Sequence, residues 1–147
     1  MTPHDAVHDA VQQAIEELEA ASSAFASGDP APFSALWSHT EDITIMGAWG
    51  AYEKGWEQVG PRMDWAAGRF REGRVSYEPL AMGMSGDLAY AVGIERGEAR
   101  VIGSDVASPI ALRVTHIFRR EQGAWKLVHR HADAIVDKTA AAAIVQQ

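Results

Sequence analysis

Near the C-terminus, Trp125-Lys126-Leu127-Val128-His129-Arg130-His131-Ala132-Asp133 sets two imidazoles and a carboxylate at alternate positions. On an extended strand alternate side chains share a face, so Trp125, Leu127, His129, His131 and Asp133 are expected on one side. That side begins apolar and ends ionisable, which suits a strand that packs a core and then enters a cavity. An unperturbed histidine titrates at about pH 6.5, so His129 and His131 are candidates for general acid and base. Asp133 would orient His131 and stabilise its imidazolium. The bland alternative is that these histidines only close hydrogen bonds within a sheet. Metal binding is the sharper alternative, because His-x-His places two imidazoles where one ion can bridge them, yet a third ligand is required. Asp133 or Glu95 would supply it only with an oxygen about 2.0–2.2 Å from the ion, and no stoichiometric metal is expected.

Arg113 shares a face with Thr115 and Ile117. If that face looks into a cavity, the guanidinium is an anchor for a carboxylate or an enolate, and burial demands an internal partner, for which Glu95 is the candidate. Met46, Trp49, Tyr90, Trp65, Met63, Met82 and Met84 are candidates for an apolar pocket wall, with ordinary core packing as the competing role. The substrate-binding set read from the sequence is therefore Arg113, Thr115, Glu95, Met46, Trp49 and Tyr90. No glycine-rich phosphate loop and no nucleophile elbow is present, and no cofactor is expected.

The elements that must position these residues follow from periodicity. Val7, Val11, Ala14, Ile15, Leu18, Ala21 and Phe25 recur at three- and four-residue steps, which predicts an amphipathic helix over about 4–27, stopped by Gly28. Asp29 caps a short second helix with Pro30 at its first position and Phe33, Leu36 and Trp37 on its apolar stripe. Ile43 to Met46 reads as a short strand. A third helix is expected over about 56–71, with Pro61 inside its first two turns. From Gly73 the period becomes two: a strand through Val75 and Met84, a turn at Ser85-Gly86-Asp87, a strand from Leu88 to about Ile102, a strand from Ile110 to Arg120, a turn at Glu121-Gln122-Gly123, and the closing strand. Helices followed by an antiparallel meander predict an α+β domain, helices on one face of a curved sheet. Ala140 to Gln147 is expected to fray.

Composition bounds the class. The chain has 147 residues, no cysteine and a net charge of −7. A single domain spanning 1–147 is expected, burying about 68–70% of its unfolded surface without a staple. Lack of cysteine excludes a disulfide framework, a thiolate metal site and a cysteine nucleophile, and a reducing cytoplasm is the expected compartment. The N-terminus shows no basic and apolar leader pattern, and no run approaches the roughly 20 apolar residues of a membrane span. Scattered Lys and Arg in an acidic chain argue against nucleic acid as a partner.

Taken in order, Ser27-Gly28-Asp29, Leu36-Trp37, Gly86-Asp87-Leu88-Ala89-Tyr90, the run Arg113 to Arg120 and the run Gly123 to His131 resemble the nuclear transport factor 2-like superfamily, in its ketosteroid isomerase and polyketide cyclase (SnoaL-like) branch. The resemblance extends over about residues 5–136. It implies a cone of helices wrapped on a curved sheet, a pocket in the cone, and a homodimer across the outer sheet surface. It does not carry the isomerase machinery over: the general base of that family falls on Met46, its oxyanion-hole tyrosine near Ala21 and its carboxylic acid near Thr115. Where limonene epoxide hydrolases place Arg-x-Asp, this chain has Arg113-Val114-Thr115. The expectation is thus a cofactor-independent isomerase, cyclase or dehydratase using histidine acid/base chemistry on a small apolar or enolisable molecule. The alternative is a non-catalytic ligand-binding or oligomerisation module of the same fold.

Overall fold

The computed structural model describes residues 2–136. In chain order the elements are α1 (Pro3–Ala26), α2 (Ala31–Leu36), β1 (Thr44–Met46), β2 (Glu53–Lys54), α3 (Trp56–Ala67), β3 (Phe70–Ser85), β4 (Leu88–Val101), β5 (Ala107–Glu121) and β6 (Ala124–Ala134). The six strands form one sheet in the order β2-β1-β6-β5-β4-β3, antiparallel except where β1 runs parallel to β6. The sheet curves and stays unclosed, with the helices packed on its concave face. This is the α+β domain expected from the order of elements, in the cone that the family resemblance implies.

Helix α1 starts at a capping box, in which Thr2 Oγ1 accepts from the Asp5 amide at 3.2 Å and Asp5 Oδ2 accepts from the Thr2 amide at 3.2 Å. Val11, Ala14, Ile15, Leu18 and Ala21 form its buried stripe, packed against Phe33, Trp37, Met63, Phe118 and Leu127. At its end Gly28 takes φ 99°, where a Cβ would come within 2.9 Å of the Phe70 carbonyl oxygen, so only glycine lets the chain turn there. Helix α2 starts one residue later than expected, with Pro30 at the N-cap position and no side-chain cap; Asp29 Oδ1 accepts from the Ala31 amide at 3.0 Å just ahead of it.

A side-chain ladder ties α1 to the free edge of the sheet. Ser27 Oγ donates to the Gly73 carbonyl at 2.8 Å, Ser23 Oγ donates to the Val75 carbonyl at 3.0 Å and accepts from its amide at 2.9 Å, and Glu19 Oε2 accepts from the Tyr77 amide at 2.8 Å. Four helical residues rise about 6.0 Å and two strand residues about 6.6 Å, so positions 19, 23 and 27 stay in step with 77, 75 and 73. The ladder satisfies the exposed edge of β3, which would otherwise be a template for strand pairing.

Three boundaries differ from the sequence reading. Helix α3 ends at Ala67 instead of about 71, because Gly68 follows and Phe70 is drawn into β3 as the partner of Val101. Strand β5 begins at Ala107, paired with Arg100 of β4. The two-residue strand β2 has no periodic signal and forms through its pairing with β1. The stretch Ala140 to Gln147 lies outside the described residues. Among the described residues no helix is long and apolar enough to cross a membrane.

Candidate functional site

Between Leu127 and His129 the ladder with β5 slips: Phe118 pairs with Leu127 but the adjacent Ile117 pairs with His129, leaving Val128 as the extra residue of a bulge. Leu127 and Val128 both pack on the core. A one-residue insertion reverses the alternation beyond it. His129, His131 and Asp133 therefore lie on the outer face of the sheet, while Arg130, Ala132 and Ala134 face into the cone. The expectation of one continuous face from Trp125 to Asp133 is thus corrected by the bulge.

On that outer face the strand pairs bring the predicted residues side by side. His129 lies between Thr44 and Ile117, and His131 between Met46 and Thr115. Thr44 Oγ1 and His129 Nδ1 share a hydrogen bond of 2.7 Å. Partial burial, then the neighbouring His131, holds His129 below its ordinary pKa. Asp133 accepts from Arg113 Nε at 2.8 Å, and His131 Nε2 stands 3.7 Å from the other Asp133 oxygen. Arg113 is a second correction: it projects from the outer face, largely exposed, with Asp133 as its partner instead of Glu95. Tyr90 and Met46 also project outward, 46% and 40% exposed, and are not part of the lining of the cone's cavity. Thr115 sits among them. Of the predicted substrate-binding set, Glu95 and Trp49 line the cone's cavity.

The interior holds a polar cluster built from Glu95, Arg130, His116 and Tyr77. Arg130 reaches from β6 across β5 to β4, where Nη1 donates to Glu95 Oε2 at 2.7 Å and Nη2 donates to Glu95 Oε1 at 2.8 Å. The side chains are 12% and 5% exposed. Such a bidentate, buried pair is held by geometry as well as charge. Burial works to raise the Glu95 carboxyl, but the Arg130 charge and its hydrogen bonds outweigh it and hold the group below the usual carboxylate range. Arg130 Nη1 also meets His116 Nε2 at 2.9 Å. A guanidinium only donates, so Nε2 accepts and the imidazole proton sits on Nδ1. Complete burial, then the Arg130 charge, pushes His116 down to about 3, so the ring is neutral at physiological pH. Tyr77, the cross-strand partner of Glu95, lies flat over Gly93, where a Cβ would fall 2.5 Å from its ring. Burial and the Glu95 charge push its hydroxyl up to about 12. His116 Nδ1 and the Tyr77 hydroxyl are both buried and have no partner among the described residues.

This cluster borders a cavity of about 350 Å³ in the cone. Phe25, Phe33, Ile45, Met63, Phe70, Val75, Ile110 and Leu112 make its walls, and Glu95 and Arg130 are the polar groups deep within it. Phe33 lies against the guanidinium, with Arg130 Cζ 5.6 Å from the ring centroid. Toward solvent the wall is completed by Trp49, Glu53 and Arg62. Trp49 meets Trp65 edge-on at 5.8 Å, and Arg62 stacks on Trp65 with Cζ 4.1 Å from the ring. Among the described residues no group of three or more His, Cys, Asp or Glu side chains is arranged to hold a metal ion.

His116 and Arg130 are the residues that sequence reasoning missed. Both sit in motifs already singled out, but on the parity assigned to the outside. The signal that points to them is the run of small residues at alternate positions, Ala89, Ala91, Gly93 in β4 and Ala132, Ala134 in β6, which leaves room for large polar side chains over the sheet's inner face.

Fold and cavity together define a cone-shaped α+β protein with a mostly apolar interior pocket and one buried ion pair. The chain belongs to the SnoaL-like domain family, whose model matches residues 11–137. Among solved structures it is similar to a nuclear transport factor 2-like superfamily protein from Salmonella enterica serovar Typhimurium, at 16% identity over 94% of this chain and 97% of that one, with a TM-score of 0.80. It is also similar to a candidate scytalone dehydratase from Novosphingobium aromaticivorans (14% identity, 92% and 89% covered, TM-score 0.75) and to a ketosteroid isomerase-like protein from Erwinia carotovora atroseptica (17%, 87% and 95%, 0.73). At these identities the likeness establishes the fold alone. No curated protein matches the sequence.

Proposed function

We propose that the chain is a cofactor-independent enzyme of the isomerase, cyclase or dehydratase type, acting on a small apolar, enolisable molecule in the cone, with Glu95 and Arg130 as its reacting groups. One observation carries this reading: an ion pair buried in a mostly apolar cavity. A ligand carbonyl set against Arg130 would meet guanidinium N–H groups that Glu95 and His116 leave free. As Glu95 takes a proton from the carbon next to that carbonyl, the C–H electron pair becomes the enolate double bond and the carbonyl electrons move to oxygen, where Arg130 stabilises the charge. Return of the proton to another carbon gives an isomer, and expulsion of a β-hydroxyl with a proton gives a dehydration product. Because Arg130 holds Glu95 weakly basic, the substrate's own C–H must be acidic, which favours enolisable compounds. The outer-face His129, His131 and Asp133, expected from sequence as the acid/base group, stand as a competing site.

A second reading is a non-catalytic binding or oligomerisation module, favoured by the completeness of the pair, in which both Glu95 oxygens are already engaged. Exchange of the α-protons of 1-tetralone in D2O, followed by NMR, separates the readings. Acceleration by the wild type that is lost in Glu95→Gln and kept in His129→Gln and His131→Gln supports the proposal. Binding without accelerated exchange supports the module, and exchange that depends on His131 places the chemistry on the outer face.

A further inference from the structure

We infer that the cavity admits apolar carboxylic acids with the apolar body inward and the carboxylate held at the mouth by Arg62. This rests on the reading that the cavity binds a small molecule. The inner end is closed to a second anion: both Glu95 oxygens lie on Arg130, the pair is nearly dry, and a carboxylate placed there would face the Glu95 charge at low dielectric.

The mouth is built differently. Arg62 lines the cavity and meets Glu53 at 3.4 Å, Nε to Oε1, against 2.7 and 2.8 Å in the inner pair. Its Cζ lies 4.1 Å from the centroid of the Trp65 ring, and among the described residues its two Nη groups make no hydrogen bond. A guanidinium whose terminal N–H groups are unengaged offers a fork that matches a carboxylate bidentately. A second guanidinium, Arg69, stands 5.4 Å from the same ring, makes no ion pair among the described residues, and has a buried Nε without a partner. Asp64, the adjacent carboxylate on α3, pairs with neither arginine. Around Trp65 the two guanidinium groups thus share a single ion pair, to Glu53, and their unengaged N–H groups are donors that a ligand carboxylate would meet. Trp49, Phe70 and Phe33 then line the path for the apolar body.

Naphthalene-2-carboxylic acid and naphthalene-2-carboxamide differ only in that charge, and calorimetric titration of both at pH 7.5 tests the inference. In the wild type the acid should bind about tenfold tighter than the amide, a typical return for one charge-assisted contact at a half-exposed site. Arg62→Gln should remove that preference, Arg62→Lys should keep part of it, and Glu53→Gln should tighten the acid severalfold by removing the competitor. Thermal melts check that each variant is folded. Equal binding of acid and amide, or a preference indifferent to Arg62, overturns the inference while the cavity reading stands. If neither probe binds the wild type at millimolar concentration, the cavity reading fails with it.

Discussion

Replacing Arg130 with methionine removes one partner of a pair whose carboxylate is 5% exposed, leaving Glu95 charged in an apolar wall. Breaking a buried pair from one side costs about 3–5 kcal/mol. For a chain of 147 residues each kcal/mol moves the melting temperature by roughly 2–4 °C, so a fall of about 6–20 °C is expected. Removing both charges in Glu95→Met/Arg130→Met should restore much of the loss, except for about 1–3 kcal/mol from His116 Nε2 left without its donor. The pH dependence supplies a second readout. In the wild type the Glu95 pKa lies below its ordinary 4.5, so its contribution is present above that pH and is lost as pH falls. Without Arg130 burial, the largest cause, is opposed only by His116, so the pKa should rise above the unfolded value and the sign reverse: the variant's deficit should shrink as pH falls from neutrality toward 4.5. Urea titrations of the wild type, Arg130→Met, Glu95→Met and the double variant at pH 5 and 7.5 measure both effects. Additive single-variant losses, or an Arg130→Met deficit that grows on acidification, would refute the assignment of a coupled buried pair.

His116 is neutral in the folded state and its pKa is pushed from 6.5 to about 3, so acid favours the unfolded chain, which takes up the proton first. Stability should therefore decline by up to about 1.4 kcal/mol per pH unit as pH falls below 6.5, and denaturant melts of His116→Gln should show a shallower decline between pH 6.5 and 5. Ser23→Ala should cost about 1–3 kcal/mol and speed amide exchange at Val75, because it unpairs both backbone groups of that edge residue. The outer sheet face carries Leu88, Tyr90, Val92, Ile94 and Ile117 and none of the helices, so we propose a homodimer across it. Light scattering should give twice the chain mass for the wild type and a monomer for Tyr90→Arg; a dilution-insensitive wild-type monomer would contradict this.

The cone was legible because its signals are periodic. Val11, Ile15 and Leu18 mark a helix face wherever the chain finally packs, and the turns at Gly86 and Gly123 fix the order of the long strands. The site was half legible. Glu95 and Trp49 were recognised, yet Glu95 was given the wrong arginine, because Arg113 and Arg130 both sit on strands near it and only strand parity distinguishes them. That parity depends on the bulge at Val128, which exists because Leu127 and Val128 both find room in the core. Leu127-Val128 reads equally well as ordinary alternation, so no local pattern reveals the slip. His116 was hidden for a related reason: Thr115 and Ile117 are as plausible inward residues as Val114 and Phe118. The β3 edge ladder requires Ser23 and Val75 to be adjacent, a pairing 52 residues apart in sequence.

We propose that chemistry belongs to the inside of the cone, at Glu95 and Arg130, and not to His129 and His131. A crystal structure of the protein soaked with 1-tetralone tests this most directly. Ring density is expected in the cavity between Phe33 and Phe70, with the carbonyl oxygen within hydrogen-bond distance of Arg130. Density seated instead against His129 and His131 on the outer face, with the cavity filled by its own side chains, would contradict it.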